Sequence, residues 1–260
     1  MVFRYNRNMQ VIVDGLSTNY HVSGDGHKTV LLLHGWGDSS LGLAGLQQEL
    51  SKNFTVVAPD LPGFGKTDNP PSPWGLSDYA NFVKAFMHKL KINEIYAIIG
   101  HSNGGAIAIR AVGKGLLGPD KLILLASSGV RSPYNGRQKG LRLLVKTGKA
   151  VTMPLPKIIK RKLRMTVYNT IGSEMLIAED LQETFKKIVS DDVTADAGRI
   201  SIPTLLIYGE EDRATSPATG RLFHEKIKNS IYEQVASAGH FVHLDQPALT
   251  NKAIGDFLHV

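Results

Sequence analysis

A series of short apolar runs, separated by helix-length stretches, is the feature that most constrains the fold of this chain. Each run is apolar on nearly every consecutive residue, which is typical of strands buried on both faces. These runs are TVLLLHG (29–35), FTVVAPD (54–60), IYAIIG (95–100), KLILLAS (121–127) and TLLIYG (204–209). Helical periods fill residues 76–90, 104–117 and 218–227. We therefore expect an α/β fold with a mainly parallel, doubly wound sheet and helices on both faces.

Two parts of the chain depart from this alternation. Near the N-terminus, two strand-like runs flank Asp14 and Gly15, which predicts an antiparallel hairpin. Residues 130–199 have helical periods and no clear buried strand. We interpret them as a helical cap inserted into a core formed by residues 1–129 and 200–260. Ser77 and Asp78 are the candidate N-caps of the helix expected over residues 76–90.

Composition excludes several kinds of site. The 260 residues include no cysteine, so a disulfide framework, a thiolate nucleophile and a cysteine-ligated metal site are excluded. No H-E-x-x-H spacing and no Walker A loop occurs, and we expect neither a metal nor an organic cofactor. Without an apolar run of about 18 residues or a signal-like N-terminus, we expect a cytoplasmic protein that does not span a membrane.

The net charge of +7 is concentrated in one segment of the expected cap. Residues 131–164 hold eleven Lys or Arg and no Asp or Glu, whereas the rest of the chain holds 19 basic and 23 acidic residues. We favour a solvated outer face for this segment, with weak membrane-surface contact and attraction of acidic substrates as alternatives. No recognition motif accompanies the charge, so we expect no nucleic-acid binding. Apolar cap residues, among them Met153, Leu155, Met165 and Tyr168, suggest an apolar substrate pocket.

Ser102 is the candidate nucleophile. It lies in Gly100-His101-Ser102-Asn103-Gly104, a G-x-S-x-G pattern that follows a strand and precedes a helix. Such a turn raises the serine Oγ above the sheet, and a Cβ on either glycine would clash with the neighbouring strand or helix. The alternative is that Ser102 only caps the helix.

A serine hydroxyl needs a base, and the base needs an orienting acid. His240, in the loop AGHFVH after the last strand-like run, is the candidate base, with His243 as its competitor. Asp212 is the candidate acid; Glu210 and Glu211 precede it on the same loop. We interpret His34 as a histidine that braces a loop through the backbone. His101 is adjacent to Ser102, and we do not expect it to be the base.

The motifs HGWG, DLPGFGKTD, GHSNGG, GEEDRATSP and GHFVHLDQP together resemble those of the α/β-hydrolase fold family, in its small-esterase and lipase-like branch with a helical cap. The resemblance covers about residues 30–257 and is weakest in the cap. It implies an oxyanion hole formed by the backbone N–H groups of Trp36 and Asn103. It also implies that the DLPGFGKTD residues are structural. Serine at the nucleophile position, in place of aspartate, disfavours dehalogenase and epoxide-hydrolase chemistry.

The expected function is that of a serine hydrolase that cleaves carboxylic esters of small or medium acyl groups through an acyl-enzyme. Its partner would be a small, apolar ester. Two alternatives stay open: a carbon–carbon bond hydrolase of the diketone-cleaving type, and a ligand receptor with slow turnover on a hydrolase scaffold. The sequence does not indicate the acyl chain length or the oligomeric state.

Overall fold

One twisted sheet forms the centre of the molecule. The computed structural model describes residues 7–131 and 181–260. Within them the strands are β1 (Arg7–Val13), β2 (Leu16–Ser23), β3 (Thr29–Leu33), β4 (Thr55–Pro59), β5 (Ala97–His101), β6 (Lys121–Leu125), β7 (Thr204–Gly209) and β8 (Ser230–Val235). Their order is β1-β2-β4-β3-β5-β6-β7-β8. The two pairings of β2 are antiparallel, and all those from β4 to β8 are parallel.

Helices cover both faces of this sheet. They are α1 (Ala44–Leu50), preceded by a 3₁₀ turn over Ser40–Leu43, then α2 (Leu76–Lys89), α3 (Asn103–Gly113), α4 (Gln182–Ser190), α5 (Thr194–Ala197), α6 (Pro217–Lys226), α7 (Val242–Asp245) and α8 (Pro247–Leu258). Buried side chains of α2, α3 and α6 share one apolar layer, and those of α1, α7 and α8 share the other. The predicted α/β fold, with a mainly parallel sheet between helices, is therefore confirmed.

The two apolar layers explain why the strands are apolar on consecutive residues. Along β3, Leu31 and Leu33 belong to one layer, and Val30 and Leu32 belong to the other. All four side chains are fully buried. Alternate residues of a strand point to opposite faces, so a sheet covered on both sides requires apolar residues at each position.

The opening hairpin is present as predicted. β1 pairs with β2 in register from Arg7 opposite Val22 to Val13 opposite Leu16. The two turn residues, Asp14 and Gly15, have φ values of 48° and 84°. Positive φ at both positions gives the tight two-residue turn that matches the twist of the strands, and Asp-Gly is a preferred pair for it.

Two helix boundaries differ from the prediction. The N-cap of α2 is Gly75, so the assignment of Ser77 or Asp78 as N-cap was wrong. Asp78 is instead the third helical residue, and its Oδ2 accepts the Gly75 N–H at 2.8 Å. α3 ends at Gly113, four residues before the predicted end. Gly115, with φ of 68°, takes the chain out of the helix, and apolar Leu116 and Leu117 had suggested a longer one.

The described end of the 130–199 segment is helical and anchored on α3. Arg110 of α3 donates from Nη2 to Asp191 Oδ1 at 2.7 Å, and its Nε lies 3.0 Å from Asp196 Oδ2. Val193 N–H donates to the Gly129 carbonyl at 2.8 Å, which holds the two ends of the segment side by side. Met153, Leu155, Met165, Tyr168 and the basic residues after Arg131 lie outside the described residues.

The part of the chain that the structure describes contains no helix with the length and apolar character needed to cross a bilayer.

Candidate active site

Ser102 occupies a strained turn between β5 and α3. Its φ and ψ are 51° and −116°, a conformation that non-glycine residues rarely adopt. The Ser102 N–H donates to the Leu125 carbonyl at 3.0 Å, and the Ser102 carbonyl accepts the N–H groups of Gly105 and Ser128 at 3.0 and 3.1 Å. Neighbouring strand and helix backbones therefore hold the serine in this conformation.

The glycines on both sides of Ser102 have no room for a side chain. A Cβ on Gly100 would lie 2.6 Å from the Gly104 carbonyl oxygen, and a Cβ on Gly104 would lie 2.2 Å from the Leu33 carbonyl oxygen. Both distances are far below van der Waals contact and involve backbone atoms. The predicted clash with the neighbouring helix and strand is confirmed.

Helix capping does not account for Ser102. The residue occupies the N-cap position of α3, but its side chain makes no capping hydrogen bond. A serine selected to cap would accept a backbone N–H of the first turn. The hydroxyl is thus left available for another partner.

Asp212, on the loop after β7, is buried and fully hydrogen-bonded. Its Oδ1 accepts the N–H groups of Ala214 at 2.7 Å and Thr215 at 2.9 Å. Its Oδ2 lies 2.7 Å from Thr215 Oγ1 and 2.9 Å from His240 Nδ1. Glu210 and Glu211, the other candidate acids, are exposed.

The surroundings keep Asp212 ionised. Burial opposes ionisation of the carboxyl, but hydrogen bonds from His240 and Thr215, together with the charge of His240, outweigh it and lower the pKa of Asp212. A buried carboxylate next to an imidazole fixes the ring's tautomer and stabilises its protonated form.

His240 is the histidine that the fold brings to Asp212. Its side chain is 12% exposed, whereas that of Asp212 is completely buried. Since a carboxylate can only accept, the 2.9 Å contact places the hydrogen of the neutral ring on Nδ1 and leaves a lone pair on Nε2. His243, the competing base, is buried, and its Nε2 lies 3.3 Å from the Gly42 carbonyl oxygen.

Trp36 and Asn103, the expected oxyanion-hole residues, follow Gly35 and Ser102 in the chain, and a Cβ on Gly35 would lie 3.3 Å from Ser102 Cβ. Trp36 is buried on the loop after β3, and its ring centroid is 4.8 Å from that of Phe64 and 5.2 Å from that of Phe185 on α4. Asn103 is the first residue of α3, so its N–H has no carbonyl of its own helix to bond. Such an N–H at a helix N-terminus favours negative charge nearby.

The loops that carry these groups are braced by His34 and Asp60. His34 Nε2 accepts the Leu61 N–H at 2.8 Å, and its Nδ1 lies 2.7 Å from the Gly35 carbonyl oxygen. This agrees with the prediction that His34 braces a loop. Asp60 accepts hydrogen bonds from Ser40 Oγ at 2.6 Å, Asn19 Nδ2 at 2.8 Å and Lys66 N at 3.0 Å.

Two contacts at this site were not predicted from the sequence. Thr215 Oγ1 contacts Asp212 and also lies 3.1 Å from His240 Nδ1. The D-x-x-T spacing, typical of a turn in which an aspartate accepts bonds from residues two and three ahead, could have indicated it. His101 Nε2 lies 3.0 Å from the His240 carbonyl oxygen, a contact across 139 residues with no local signal.

The described ranges contain no cluster of three or more His, Cys, Asp or Glu that could hold a metal ion.

Known proteins are similar to this chain in sequence. The model of the alpha/beta hydrolase family matches residues 30–253. A 2-hydroxy-6-oxononadienedioate/2-hydroxy-6-oxononatrienedioate hydrolase of Pseudomonas putida is 28% identical over 269 residues, which cover 94% of this chain and 92% of the relative.

Two solved structures have the same fold. A bacterial membrane phospholipase A superposes with a TM-score of 0.77 at 22% identity, over 98% of this chain and 86% of the other. The enol-lactonase of Burkholderia xenovorans LB400 superposes with a TM-score of 0.74 at 21% identity, over 97% and 100%. With a family model that matches most of its length and a sheet of the same architecture, the chain belongs to the alpha/beta hydrolase family.

Proposed function

We propose that this hydrolase is a serine esterase, with Ser102, Asp212 and His240 as its catalytic triad, and that it cleaves carboxylic esters of small or medium acyl groups. The observation that carries the proposal is the 2.9 Å bond between His240 Nδ1 and the buried Asp212, with the His240 ring 4.9 Å from that of His101, the residue before a serine held at φ of 51°. Three loops that are far apart in the sequence supply a nucleophile, a base and an acid. These are the three groups that covalent catalysis by serine requires.

In this mechanism His240 moves the proton in both half-reactions. Its Nε2 lone pair accepts the Ser102 hydrogen as Oγ attacks the ester carbonyl carbon. The backbone N–H groups of Trp36 and Asn103 stabilise the oxyanion, for which each donor is worth roughly 3–4 kcal/mol in such sites. His240 then protonates the leaving alcohol, and a water activated by the same nitrogen releases the acid. Asp212 stabilises the imidazolium throughout.

Cleavage of a carbon–carbon bond is a second candidate. The Pseudomonas putida relative is named for a substrate that carries hydroxyl, oxo and carboxylate groups along one carbon chain. The same three residues would serve such a reaction, although the leaving group is then a carbon that must be protonated. The identity of 28% over most of both chains supports carbon–carbon bond cleavage as the second candidate.

The test is hydrolysis of p-nitrophenyl esters from acetate to palmitate by the wild type, Ser102→Ala and Ser51→Ala. We expect turnover by the wild type, background rates for Ser102→Ala and wild-type rates for Ser51→Ala, whose hydroxyl lies at the C-terminal end of α1. The chain-length optimum would define the size of the acyl pocket.

A different pattern would support an alternative. The wild type could be as slow as Ser102→Ala on every ester and yet cleave a 2-hydroxy-6-oxo-dienoate. In that case the protein is better described as a carbon–carbon bond hydrolase than as an esterase. If a fluorophosphonate labels Ser102 but neither substrate class turns over, the slow-turnover receptor becomes the better description. Absence of labelling in the folded wild type would contradict Ser102 as a nucleophile.

A further inference from the structure

His101, the residue before Ser102, lies against both the loop that carries His240 and the loop after β3 that carries Trp36. It ends β5 and is 1% exposed. Its Nε2 lies 3.0 Å from the backbone carbonyl oxygen of His240. On its other side, a Cβ on Gly35 would lie 3.0 Å from His101 Nδ1 and 3.3 Å from Ser102 Cβ, so the oxyanion loop passes directly over both residues.

The partner of Nε2 determines the tautomer of the ring. A carbonyl oxygen can only accept, so Nε2 must carry the hydrogen and donate it to the His240 backbone. Nδ1 then holds a lone pair, and it is buried without a hydrogen-bond partner among the described residues. Burial, with His243 and His240 close by, lowers the pKa of His101 well below its ordinary value, and the ring stays neutral.

The ring also forms the base of a cluster beneath the His240 segment. Its centroid lies 4.9 Å from the rings of both His240 and His243, and 5.2 Å from that of Phe241. His243 in turn contacts the Gly42 carbonyl oxygen, beyond the oxyanion loop. The loop that carries the base is thus packed on one ring that belongs to the strand of the nucleophile.

We propose that His101 is a positioning residue: its Nε2–H bond to the His240 carbonyl sets the distance between the His240 ring and Ser102. The inference rests on the proposed function, because it assigns His101 a role in aligning that same triad. A side chain at this position must reach about as far as histidine Nε2, donate one hydrogen bond and otherwise pack against rings. A misplacement of about 1 Å can cost as much as a hundredfold in rate.

Gln and Met at position 101 form a matched pair for the test. The two side chains have nearly the same shape, but only Gln can donate an N–H from the position that corresponds to Nε2. We expect His101→Gln to keep kcat within about threefold of the wild type and His101→Met to lose about tenfold or more. KM on the same ester should change less than twofold in both, and both should melt at similar temperatures.

The rate of fluorophosphonate labelling separates this inference from the proposed function. If the wild type is not labelled, the proposed function fails. If the wild type is labelled, but Gln and Met variants have equal kcat and equal labelling rates, only the role of His101 is contradicted. The role of His101 is also contradicted if kcat falls in both variants only as much as their melting temperatures fall. In that case the Gln and Met variants would have the same kcat at a temperature where both are folded.

A measurement on the unmodified protein tests the same bond without a variant. Long-range ¹H–¹⁵N correlation should show the His101 ring neutral at pH 7, with its hydrogen on Nε2. A neutral ring with its hydrogen on Nδ1 would overturn the proposal, because its Nε2 could not donate to the His240 carbonyl.

Discussion

A single carboxylate, Asp212, determines which nitrogen of His240 can accept a proton. Its Oδ2 takes the hydrogen on Nδ1 at 2.9 Å, while its Oδ1 is occupied by two backbone N–H groups. The orientation of the carboxylate is therefore fixed by the backbone of its own loop, and the ring follows it.

Asp212→Asn should nearly abolish turnover with little change in fold. An amide N–H facing Nδ1 would move the ring hydrogen to Nε2, which could then no longer accept the Ser102 proton. We expect kcat to fall by roughly 10⁴-fold. Steady-state kinetics on the best ester measures it, and Glu211→Gln, an exposed carboxylate on the same loop, is the matched control. A loss below tenfold would mean that Asp212 does not orient the base.

Thr215→Val should weaken the same site by removing one hydroxyl. Thr215 Oγ1 lies 2.7 Å from Asp212 Oδ2 and 2.8 Å from the buried Ala126 carbonyl oxygen. Unpaired buried acceptors cost about 1–3 kcal/mol, so urea unfolding should show a loss of that size, together with a lower kcat. Thr215→Ser should restore both. Equal stability of the Val and Ser variants would show that the hydroxyl contributes nothing.

Among the elements, the turn from β5 into α3 is the most constrained. Gly104 faces the Leu33 carbonyl of β3, which leaves no space for a methyl group. The helix and the strand cannot separate without disturbing the loop that carries Trp36, because that loop continues directly from β3.

Gly104→Ala should therefore destabilise the protein, although alanine is the better helix former. A Cβ 2.2 Å from a backbone oxygen forces the elements apart, and overpacking of this kind costs about 1–3 kcal/mol or more. Gly45→Ala is the control, because its Cβ would meet nothing within 4 Å, and it should stabilise α1 by up to about 1 kcal/mol. Urea unfolding of both variants checks the signs. If Gly104→Ala left the free energy of unfolding unchanged, it would contradict this close packing of α3 on β3.

Across the whole molecule, three buried histidines make stability depend on pH. Burial lowers the pKa of His34, His101 and His243 below the ordinary value of 6.5. Hydrogen bonds to backbone carbonyls and nearby aspartates raise these pKa values, but by less than burial lowers them. As pH falls through 6.5, the unfolded chain takes up protons that the folded chain does not, so stability decreases.

We expect the free energy of unfolding to fall between pH 7.5 and 5.5, by up to roughly 1.4 kcal/mol per pH unit for each histidine. The aspartates with lowered pKa values lose their contribution only near or below their ordinary pKa of 3.8, so they do not act in this window. Urea unfolding at the two pH values measures the effect. His243→Gln should reduce the effect, and a flat profile in the wild type would contradict the expectation.

Most of the fold could be predicted because it depends on local patterns. Doubly buried strands such as β3 must be apolar at each residue, and turn pairs such as Asp14-Gly15 carry their own signal. The N-cap of α2 could not be predicted, because Gly75 has no side chain to reveal it. The basic residues after Arg131 lie outside the described part, so weak membrane contact through them stays a prediction.

The residues of the candidate site could be predicted from the sequence, but the contacts between them could not. Ser102, Asp212 and His240 lie in motifs whose residue types are chemically informative. The bonds that orient them, such as that from His101 to the His240 carbonyl, join residues far apart in the chain. Periodicity and turn chemistry describe neighbours only, so such contacts need the three-dimensional structure.

The position of β8 at one edge of the sheet has a consequence for native-state opening. β8 pairs only with β7 among the described strands, and most of its side chains are partly or fully exposed. Detachment of an edge strand is a low-energy local opening, and here it would release the loop that bears His240 while β3, β5 and β6 stay assembled. Amide hydrogen exchange should therefore be faster in β8 than in β5, and heat should inactivate the enzyme before it melts.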